Sequence, residues 1–531
     1  QMVSQTWDDH DRSGRYAARD YAIDYLESTE PNAIIFCNGD NDTFPLWYAQ
    51  EVEGVRPDVR IINLSYLPSQ WYASNLRLQA YESAPVPMTA TPADYAYNKN
   101  QVVLINREES APVNLHDALK AIYAGNGMAE YGRPVFPSSR VYVPIDKQLM
   151  VKRGYVSAAD TARLEDRIVI DLNQSPAGSR GYVNLAELLM LDIIATNAAE
   201  GWERPIYWCT TVGTEYYMGL DPYQATTGMT LQLVPWLVQD NAARTDRAYN
   251  VITRKYRWGG GDAKGRKPYY DETATRMLSA IRGSMIATSQ QLMLEGNALE
   301  DAGDMAGAKD KWKKALELVT LLEKRQGAAL RPYSLQTSAP LAELFVRLGG
   351  KLGDGNAVSR GMRLMENLLV NYASYILYEQ HMRLNFGNVE FTYNTKIMPY
   401  QYWGLVESYQ DMGGDFGKLQ KKYPVLTRLD LKTLQENWAR YNGPADGAGD
   451  YMSAIREFAA IVVRMGKASP QEYAGFEKDY LEIDSTFYSI IDEPEAYGVD
   501  VDQVMEICRQ EGVDLNRQKE LYNKYKSAHR R

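Results

Sequence analysis

The sequence has few of the residues that enzymes most often use for metal or nucleophilic chemistry. Its three cysteines, Cys37, Cys209 and Cys508, are odd in number and lie far apart, so they predict neither a disulfide framework nor a thiolate metal cluster. The four histidines show no HExxH-type spacing, which argues against the common zinc sites. No P-loop, GxGxxG or nucleophile elbow is present, so the usual signatures of nucleotide enzymes and serine hydrolases are missing.

Excess positive charge and long apolar runs are also missing. The formal net charge of −10 argues against a nucleic-acid partner, which would require clustered lysine and arginine. No apolar run reaches the roughly 18 to 20 residues that span a bilayer, because even Leu185 to Ala199 is interrupted by Glu187 and Asp192. The chain starts at Gln1, from which we expect a processed product or an excised portion of a longer protein.

Phenylalanine is scarce but tyrosine is abundant, with 39 tyrosines against 10 phenylalanines. An aromatic ring that carries a hydroxyl group suits surfaces that are partly exposed to solvent. The composition therefore fits extensive helix interfaces, and it also fits grooves that bind peptide or sugar.

The most informative stretch runs from Ala33 to Asn63. An apolar run, Ile34 to Cys37, is followed by a polar turn, by an amphipathic segment from about Pro45 to Val52, and by a second apolar run, Val59 to Leu64. This pattern predicts a βαβ unit with two parallel strands. Because ligands gather at the carboxyl ends of strands in open α/β sheets, the polar turn is a candidate site.

The candidate site combines this turn with charged and hydroxyl residues elsewhere in the chain. Asp40 and Asp42 could bind sugar hydroxyls or a hard divalent cation, since either ligand requires neighbouring, partly solvated carboxylates. No other cofactor is expected. The predicted ligand-binding residues are Asp40, Asn41, Asp42, Thr43 and Trp47 in the turn and helix, His10 and Arg12 near the N-terminus, and Thr210 and Thr211 after a later strand.

Capping of a helix explains part of the same turn without any ligand. Asp42 or Thr43 is a good N-cap for a helix that begins at Pro45, with Asp40 shaping the turn. Similarly, the charges around His10 and Arg12 fit the start of a helix, with Ser13 as its cap. We favour capping for Asp42 and Thr43 taken alone, and we weigh function and structure evenly for the whole Gly39 to Thr43 cluster.

The remaining pattern predicts an α/β N-terminal domain with a mostly parallel sheet, followed by an all-α helical-repeat domain. We expect the α/β domain over residues 1–240, a glycine-rich basic linker over 241–275, and helical repeats over 276–531. Residues Trp71 to Arg140 are irregular and proline-rich, which indicates an excursion outside the core. The further elements predicted are helices at Ser13–Ser28 and Asn184–Ala199 and strands at Val141–Val143, Gln148–Val151, Arg167–Leu172, Pro205–Cys209 and Thr230–Val234.

One helical pair has a tetratricopeptide-like register. In that repeat, small residues let two antiparallel helices approach and a large aromatic fills the gap between them. The usual closing proline is replaced by Thr320, and two further pairs, at 341–372 and 402–423, lack a clear consensus. The register is carried by Leu292, Gly296, Leu299, Ala308, Trp312 and Ala315.

Three longer motifs resemble those of a known family. The segments Asp9 to Tyr16, Asn38 to Tyr48 and Arg204 to Trp208 are similar to the soluble C-terminal part of bacterial multi-spanning, protein O-mannosyltransferase-like membrane proteins. The resemblance implies a preceding transmembrane glycosyltransferase module, which would hold the catalytic carboxylates, and a location on the periplasmic side of the inner membrane. It carries no catalytic residue over to this chain, so this chain is expected to lack the catalytic centre.

Three functions follow as hypotheses. The first is an extracytoplasmic accessory region of a membrane protein O-glycosyltransferase, which binds acceptor protein or glycan at the Asp40 to Thr43 turn and other proteins through its helical repeats. The second is a self-contained metal-dependent enzyme centred on Asp40 and Asp42, assisted by His10 and Thr210. The third is a non-catalytic interaction scaffold in which the acidic cluster is structural.

Overall fold

A computed structural model describes residues 14–126, 128–237, 242–260, 270–386 and 393–429. The strands of this part of the chain are β1 (Ile34–Cys37), β2 (Arg60–Asn63), β3 (Val102–Ile105), β4 (Val113–Asn114), β5 (Met128–Glu130), β6 (Arg133–Phe136), β7 (Arg140–Pro144), β8 (Arg167–Asp171), β9 (Tyr182–Asn184), β10 (Ile206–Cys209), β11 (Gln224–Thr226) and β12 (Thr230–Leu233).

Helices alternate with these strands and then continue alone. They are α1 (Ala17–Glu27), α2 (Asp40–Glu51), α3 (Gln70–Leu76), α4 (Leu115–Tyr123), α5 (Lys147–Lys152), α6 (Pro176–Arg180), α7 (Leu185–Ala199), α8 (Ala242–Lys255), α9 (Glu272–Asp301), α10 (Met305–Gln326), α11 (Leu335–Leu352), α12 (Gly355–Phe386), α13 (Tyr393–Asp411) and α14 (Phe416–Lys422). The α/β region followed by a helical region confirms the predicted fold class.

The largest sheet has the strand order β11-β12-β10-β1-β2. Strand β1 pairs in parallel with β2, where Ile35 lies opposite Ile61, and with β10, where Ile35 lies opposite Tyr207. All four residues of β1 are buried, as expected for an interior parallel strand covered on both faces. Burying each large apolar side chain contributes about 1.5–3 kcal/mol, so the apolar run from Ile34 to Cys37 stabilises this position in the sheet.

The sheets are mixed, whereas a mostly parallel sheet was expected. Strands β11 and β12 are antiparallel to each other, and β12 is antiparallel to β10. Two smaller sheets, with orders β5-β6-β3-β9 and β4-β7-β8, also combine both directions. The short connection between β11 and β12 explains the antiparallel pair, because a parallel neighbour requires a long crossover.

Two local predictions from the sequence were wrong. Gln148–Val151 was predicted as a strand but belongs to α5, because the side chain of Asp146 accepts hydrogen bonds from the backbone of Gln148 and Leu149 and so caps a helix there. The proline-rich stretch from Trp71 to Arg140 is not irregular throughout, since it contains α3, α4 and strands β3 to β6.

The amino ends of β10 and β2 are joined by two buried guanidinium groups. Arg204 and Arg60 both donate to the carbonyl of Ala84, at 2.9 and 3.0 Å. Arg204 also donates to Ser83 Oγ at 2.9 Å and to the carbonyl of Asn32 at 3.0 Å. Burial, together with the charge of the neighbouring Arg60, lowers the pKa of Arg204 to about 10.

The described residues form two compact units, which divide between Tyr333 and Ser334. The first unit therefore includes α8, α9 and α10 as well as the sheets. The carboxylates of Asp24 and Asp20, on α1, accept the backbone N–H groups of Arg257 and Gly259, at 2.7 and 2.8 Å. Arg257 and Gly259 belong to the segment 241–275 that was expected to be a linker, and these hydrogen bonds attach them to α1.

Helices α9 and α10 form a hairpin in which a glycine faces a tryptophan. A Cβ atom on Gly296 would lie 2.4 Å from Trp312 Nε1, so only glycine allows this approach. Trp312, Ala308 and Ala315 are buried, as the predicted register requires. The helical pair is observed; its assignment as a tetratricopeptide repeat stays a prediction.

The second unit contains two further helical pairs in its described part. Helix α11 is capped at its C-terminus by Gly353, which has a left-handed conformation, and α12 follows it. Helices α13 and α14 form the other pair. These pairs confirm the helices expected at 341–372 and 402–423. None of the helices in the described ranges combines the length and the apolar composition needed to cross a bilayer.

Candidate functional site

The carboxyl ends of β10, β1 and β2 meet at one edge of the large sheet. Strand β1 leads through α2 to β2 on one side, while β10 lies on its other side. The chain therefore changes direction across the sheet between β1 and β10. This switch point is where ligands bind in open α/β sheets.

Asp42 and Thr211 meet at this switch point. Asp42 is only 4% exposed, and its two carboxylate oxygens accept the hydroxyl of Tyr21 and the hydroxyl of Thr211, each at 2.5 Å. The loop after β10 is thereby attached to the first turn of α2. The contact is possible because β1 and β10 pair in parallel, so both strands end at the same edge.

A second tyrosine of α1 extends this network. The Tyr25 hydroxyl lies 3.1 Å from Thr210 Oγ1 and 3.3 Å from Thr211 Oγ1. The Tyr21 and Tyr25 rings contact each other edge to face, with centroids 4.8 Å apart. Tyr25 is buried, whereas Thr210 and Thr211 are exposed, so the network leads from the interior to the surface.

Burial governs the protonation of Asp42. Loss of solvent raises the pKa of its carboxyl group, and the hydroxyl groups of Thr211 and Tyr21 act in the opposite direction by donating to the ionised form. Desolvation likewise raises the pKa of both tyrosines, so these stay neutral donors at physiological pH.

Asp42 and Thr43 do not cap a helix, although the sequence favoured that interpretation. Helix α2 begins at Asp40 rather than at Pro45, and its N-cap is Gly39, which has a positive φ of 76°. Glycine adopts this conformation without the steric cost that a Cβ atom would bring. Pro45 therefore lies inside the helix, where it removes one backbone donor.

Thr43 has a structural role. It is fully buried, and its hydroxyl donates to the Gly39 carbonyl at 2.7 Å while it accepts from the Asn63 amide at 2.6 Å. The Cys37 thiol lies 3.2 Å from the same oxygen, and burial raises the pKa of Cys37 to about 12. Thr43 therefore joins the ends of β1 and β2 and is closed to a ligand.

Asp40 and Asn41 are exposed on the outer side of the edge. The Tyr66 hydroxyl lies 3.5 Å from Asp40 Oδ1. Nearby, Ser65 donates to Asn38 Oδ1 at 2.5 Å, and Tyr216 also hydrogen-bonds Asn38. These side chains follow three different strands, so the edge presents a continuous set of polar groups.

A row of aromatic rings borders these polar groups. We call Phe44, Trp47, Tyr66 and Trp71 the aromatic ladder. Successive ring centroids are 5.8, 6.2 and 6.3 Å apart, and the rings of Trp47 and Tyr66 are within 20° of parallel. Phe44 and Trp71, at the two ends, are 49% and 61% exposed. Of the ladder, sequence reasoning found only Trp47.

Tyr21 and Tyr25 were also missed as members of the network. Both tyrosines lie in the helix predicted at Ser13–Ser28, and the hydroxyl at the tip of each ring was the signal that they could reach a polar site. His10 and Arg12 lie outside the described residues. The structure therefore brings together Asp42, Thr210 and Thr211, places Asp40, Asn41 and Trp47 on the outer side of the same edge, and buries Thr43.

A divalent cation at Asp40 and Asp42 has no support from the geometry. In the ranges that the structure describes, no group of three or more histidine, cysteine, aspartate or glutamate side chains is arranged to hold a metal ion. The Asp42 oxygens accept two hydroxyl groups, and Asp40 points to the outer side. The cation stays a prediction.

The fold and the sheet edge define a mixed α/β domain with a candidate ligand site at the carboxyl ends of its parallel strands, followed by helical hairpins. Residues 18–251 match the family model of TMEM260-associated domain 2. The matched range contains the three sheets and extends into α8. No curated protein and no solved structure matches the chain.

Proposed function

We propose that this chain is the extracytoplasmic accessory region of a membrane protein O-glycosyltransferase-like protein, located on the periplasmic side of a bacterial inner membrane. The observation that carries the proposal is the match of residues 18–251 to TMEM260-associated domain 2, together with the resemblance of the motifs to O-mannosyltransferase-like membrane proteins. In this role the chain binds acceptor protein or glycan, and the transmembrane module performs the transfer.

The sheet edge supports a binding role for the α/β domain. Exposed carboxylate, amide and hydroxyl groups from three strand ends lie there beside exposed rings, and this combination suits a ligand with both polar and apolar surfaces. Asp42 serves this site by holding the loop of Thr210 and Thr211 in place. The helical pairs provide additional surfaces for proteins.

The proposal is tested with the full-length protein that carries this chain. Asp40→Ala and Thr210→Val change exposed side chains at the edge, and both variants are expected to lower transfer to a serine- and threonine-rich acceptor peptide by about tenfold. Glu203→Ala is the matched control, because Glu203 is exposed and precedes the amino end of β10, the end opposite to the candidate site, and this variant keeps full transfer. Unchanged transfer in both edge variants contradicts the proposal.

Binding to the isolated chain gives a second readout. Calorimetry with the same peptide, with and without an O-linked hexose, measures the affinity directly. If neither peptide binds, the accessory role is wrong. If both bind but edge substitutions change nothing, the chain is an interaction scaffold and the edge has only a structural role.

A further inference from the structure

We infer that the aromatic ladder is a binding platform for a neutral oligosaccharide, with the sugar rings lying along Phe44, Trp47, Tyr66 and Trp71. The inference rests on the proposed function, because it names the class of ligand that the sheet edge takes. The sugar would contact the outer side of α2, the turn between β2 and α3, and α3 itself. It would not contact the buried network around Asp42.

The exposure of the rings requires an explanation. Large aromatic side chains are usually buried because their removal from water is strongly favourable. Here the ring contacts continue across α2, the β2–α3 turn and α3, yet both ends of the ladder remain open to solvent. A contiguous exposed aromatic patch bordered by polar groups is typical of an interaction site.

The chemistry of the rings matches the face of a sugar. The face of an aromatic ring is electron-rich, and one face of a pyranose presents C–H groups that carry partial positive charge. Stacking removes apolar surface from both partners and needs no charge. Rings 5.8 to 6.3 Å apart in a row provide repeated contacts, so the ladder fits an extended chain of sugar units better than a single one.

The polar groups beside the ladder match sugar hydroxyls. Asp40 offers carboxylate oxygens that only accept, Asn38 offers both donors and an acceptor, and the hydroxyls of Ser65 and Tyr66 do both. Hydroxyl groups of a sugar can satisfy each of these types. The ladder and its polar border therefore have the composition of a carbohydrate site.

Charge favours a neutral ligand over an anionic one. In the described ranges no arginine or lysine lies over any ring of the ladder. The carboxylate of Asp40 lies beside the Tyr66 hydroxyl and would repel a phosphate, a sialic acid or an anionic lipid headgroup. A neutral oligosaccharide meets no such repulsion.

Saturation-transfer NMR and tryptophan fluorescence test the inference on the full chain. The probes are methyl α-mannopyranoside, methyl β-glucopyranoside, a mannotetraose and a cellotetraose. We expect at least one tetrasaccharide to bind about tenfold more tightly than its monosaccharide, and we expect Trp71→Ala to weaken that binding by about tenfold. Trp71→Phe should recover part of the loss, because it restores a ring.

A matched control separates the ladder from exposed aromatics in general. Tyr131 is 90% exposed on the β5–β6 hairpin, and among the residues that the structure describes its ring pairs with no other aromatic ring, so Tyr131→Ala should bind the tetrasaccharide as the wild type does. Circular dichroism confirms folding of each variant. Equal loss in Trp71→Ala and Tyr131→Ala overturns the inference.

The remaining outcomes distinguish the inference from the proposed function. If the unglycosylated acceptor peptide binds but no saccharide does, the inference is wrong and the proposed function stands. If neither saccharide nor peptide binds, both are wrong. If phosphatidylcholine vesicles bind through Trp71 while saccharides do not, the ladder contacts a membrane and the inference is overturned.

Discussion

The hydroxyl of Thr211 donates to the buried carboxylate of Asp42 at 2.5 Å, across 169 residues of sequence. This contact joins the loop after β10 to the start of α2, at the point where the chain changes direction across the sheet. Tyr21 donates to the other carboxylate oxygen and so fixes α1 to the same point. Three elements that are distant in sequence are thereby held together beneath the candidate site.

Thr211→Val should destabilise the protein by about 1–2 kcal/mol. Valine has nearly the shape of threonine but cannot donate to Asp42, and so it leaves a buried acceptor with one partner fewer. Thr214→Val, an exposed position three residues further along the same loop, is the control and should change stability by less than about 0.5 kcal/mol. Urea denaturation measures both, and equal stability of the two variants would show that the hydrogen bond contributes nothing.

The stability of the wild type should depend on pH through Asp42. Burial raises the pKa of this group above its ordinary value of 3.8, so the folded chain binds the proton more tightly than the unfolded chain. The resulting stabilisation is fully present below the unfolded pKa and is lost as the pH rises through the folded pKa.

Asp42→Asn provides the comparison because asparagine does not titrate. Subtracting the unfolding free energy of Asp42→Asn from that of the wild type isolates Asp42 from the other titrating groups. This difference should fall as the pH rises from about 4 towards neutrality. Urea titrations at several pH values measure it, and a difference that rises with pH contradicts the raised pKa.

Arg204→Lys should cost about 2–4 kcal/mol of stability. The guanidinium donates to the carbonyl groups of Asn32, Ala33 and Ala84, which lie in two chain segments, and an ammonium group cannot reach all three, so buried acceptors lose their partner. Arg153→Lys is the control, because Arg153 is exposed and its contacts, an ion pair with Glu203 and a hydrogen bond to the Gly201 carbonyl, lie at the surface. Chemical denaturation should separate the two variants clearly; a similar, small effect of both would refute the structural role of Arg204.

Gly296→Ala should destabilise the α9–α10 hairpin by about 1–3 kcal/mol, since the added methyl group would overlap the buried Trp312 ring. Gly283→Ala, in the same helix, has open space around the new atom and should be neutral or stabilising by up to about 1 kcal/mol. Thermal unfolding of the two variants checks the prediction. A neutral Gly296→Ala would mean that the two helices do not approach at this point.

The three parallel strands of the central sheet, β1, β2 and β10, could be predicted because buried parallel strands are continuous apolar runs. Ile34–Cys37, for example, was found with its observed boundaries. The sequence left the strand order open, so the approach of Thr211 to Asp42 became visible only when the structure placed β10 beside β1. The prediction that Asp42 or Thr43 caps a helix was wrong because Gly39, with its positive φ, lets α2 begin more than one turn before Pro45.

The aromatic ladder could not be predicted because its rings belong to different elements. Helical periodicity indicates which face of α2 or α3 is apolar, but the angle between the two helices decides whether Trp47 and Trp71 both reach Tyr66. That angle depends on packing against the sheet. The sequence indicated Trp47 as a candidate, but the high tyrosine content gave no position for the other rings.

Hydrogen–deuterium exchange of the full chain, with and without a saturating tetrasaccharide, tests the central claim most directly. The claim is that the carboxyl edge of the parallel strands is the ligand site. We predict slower exchange confined to residues 38–48, 64–72 and 210–217, which form the edge and the aromatic ladder. Protection of other segments, with these three unchanged, would contradict the account.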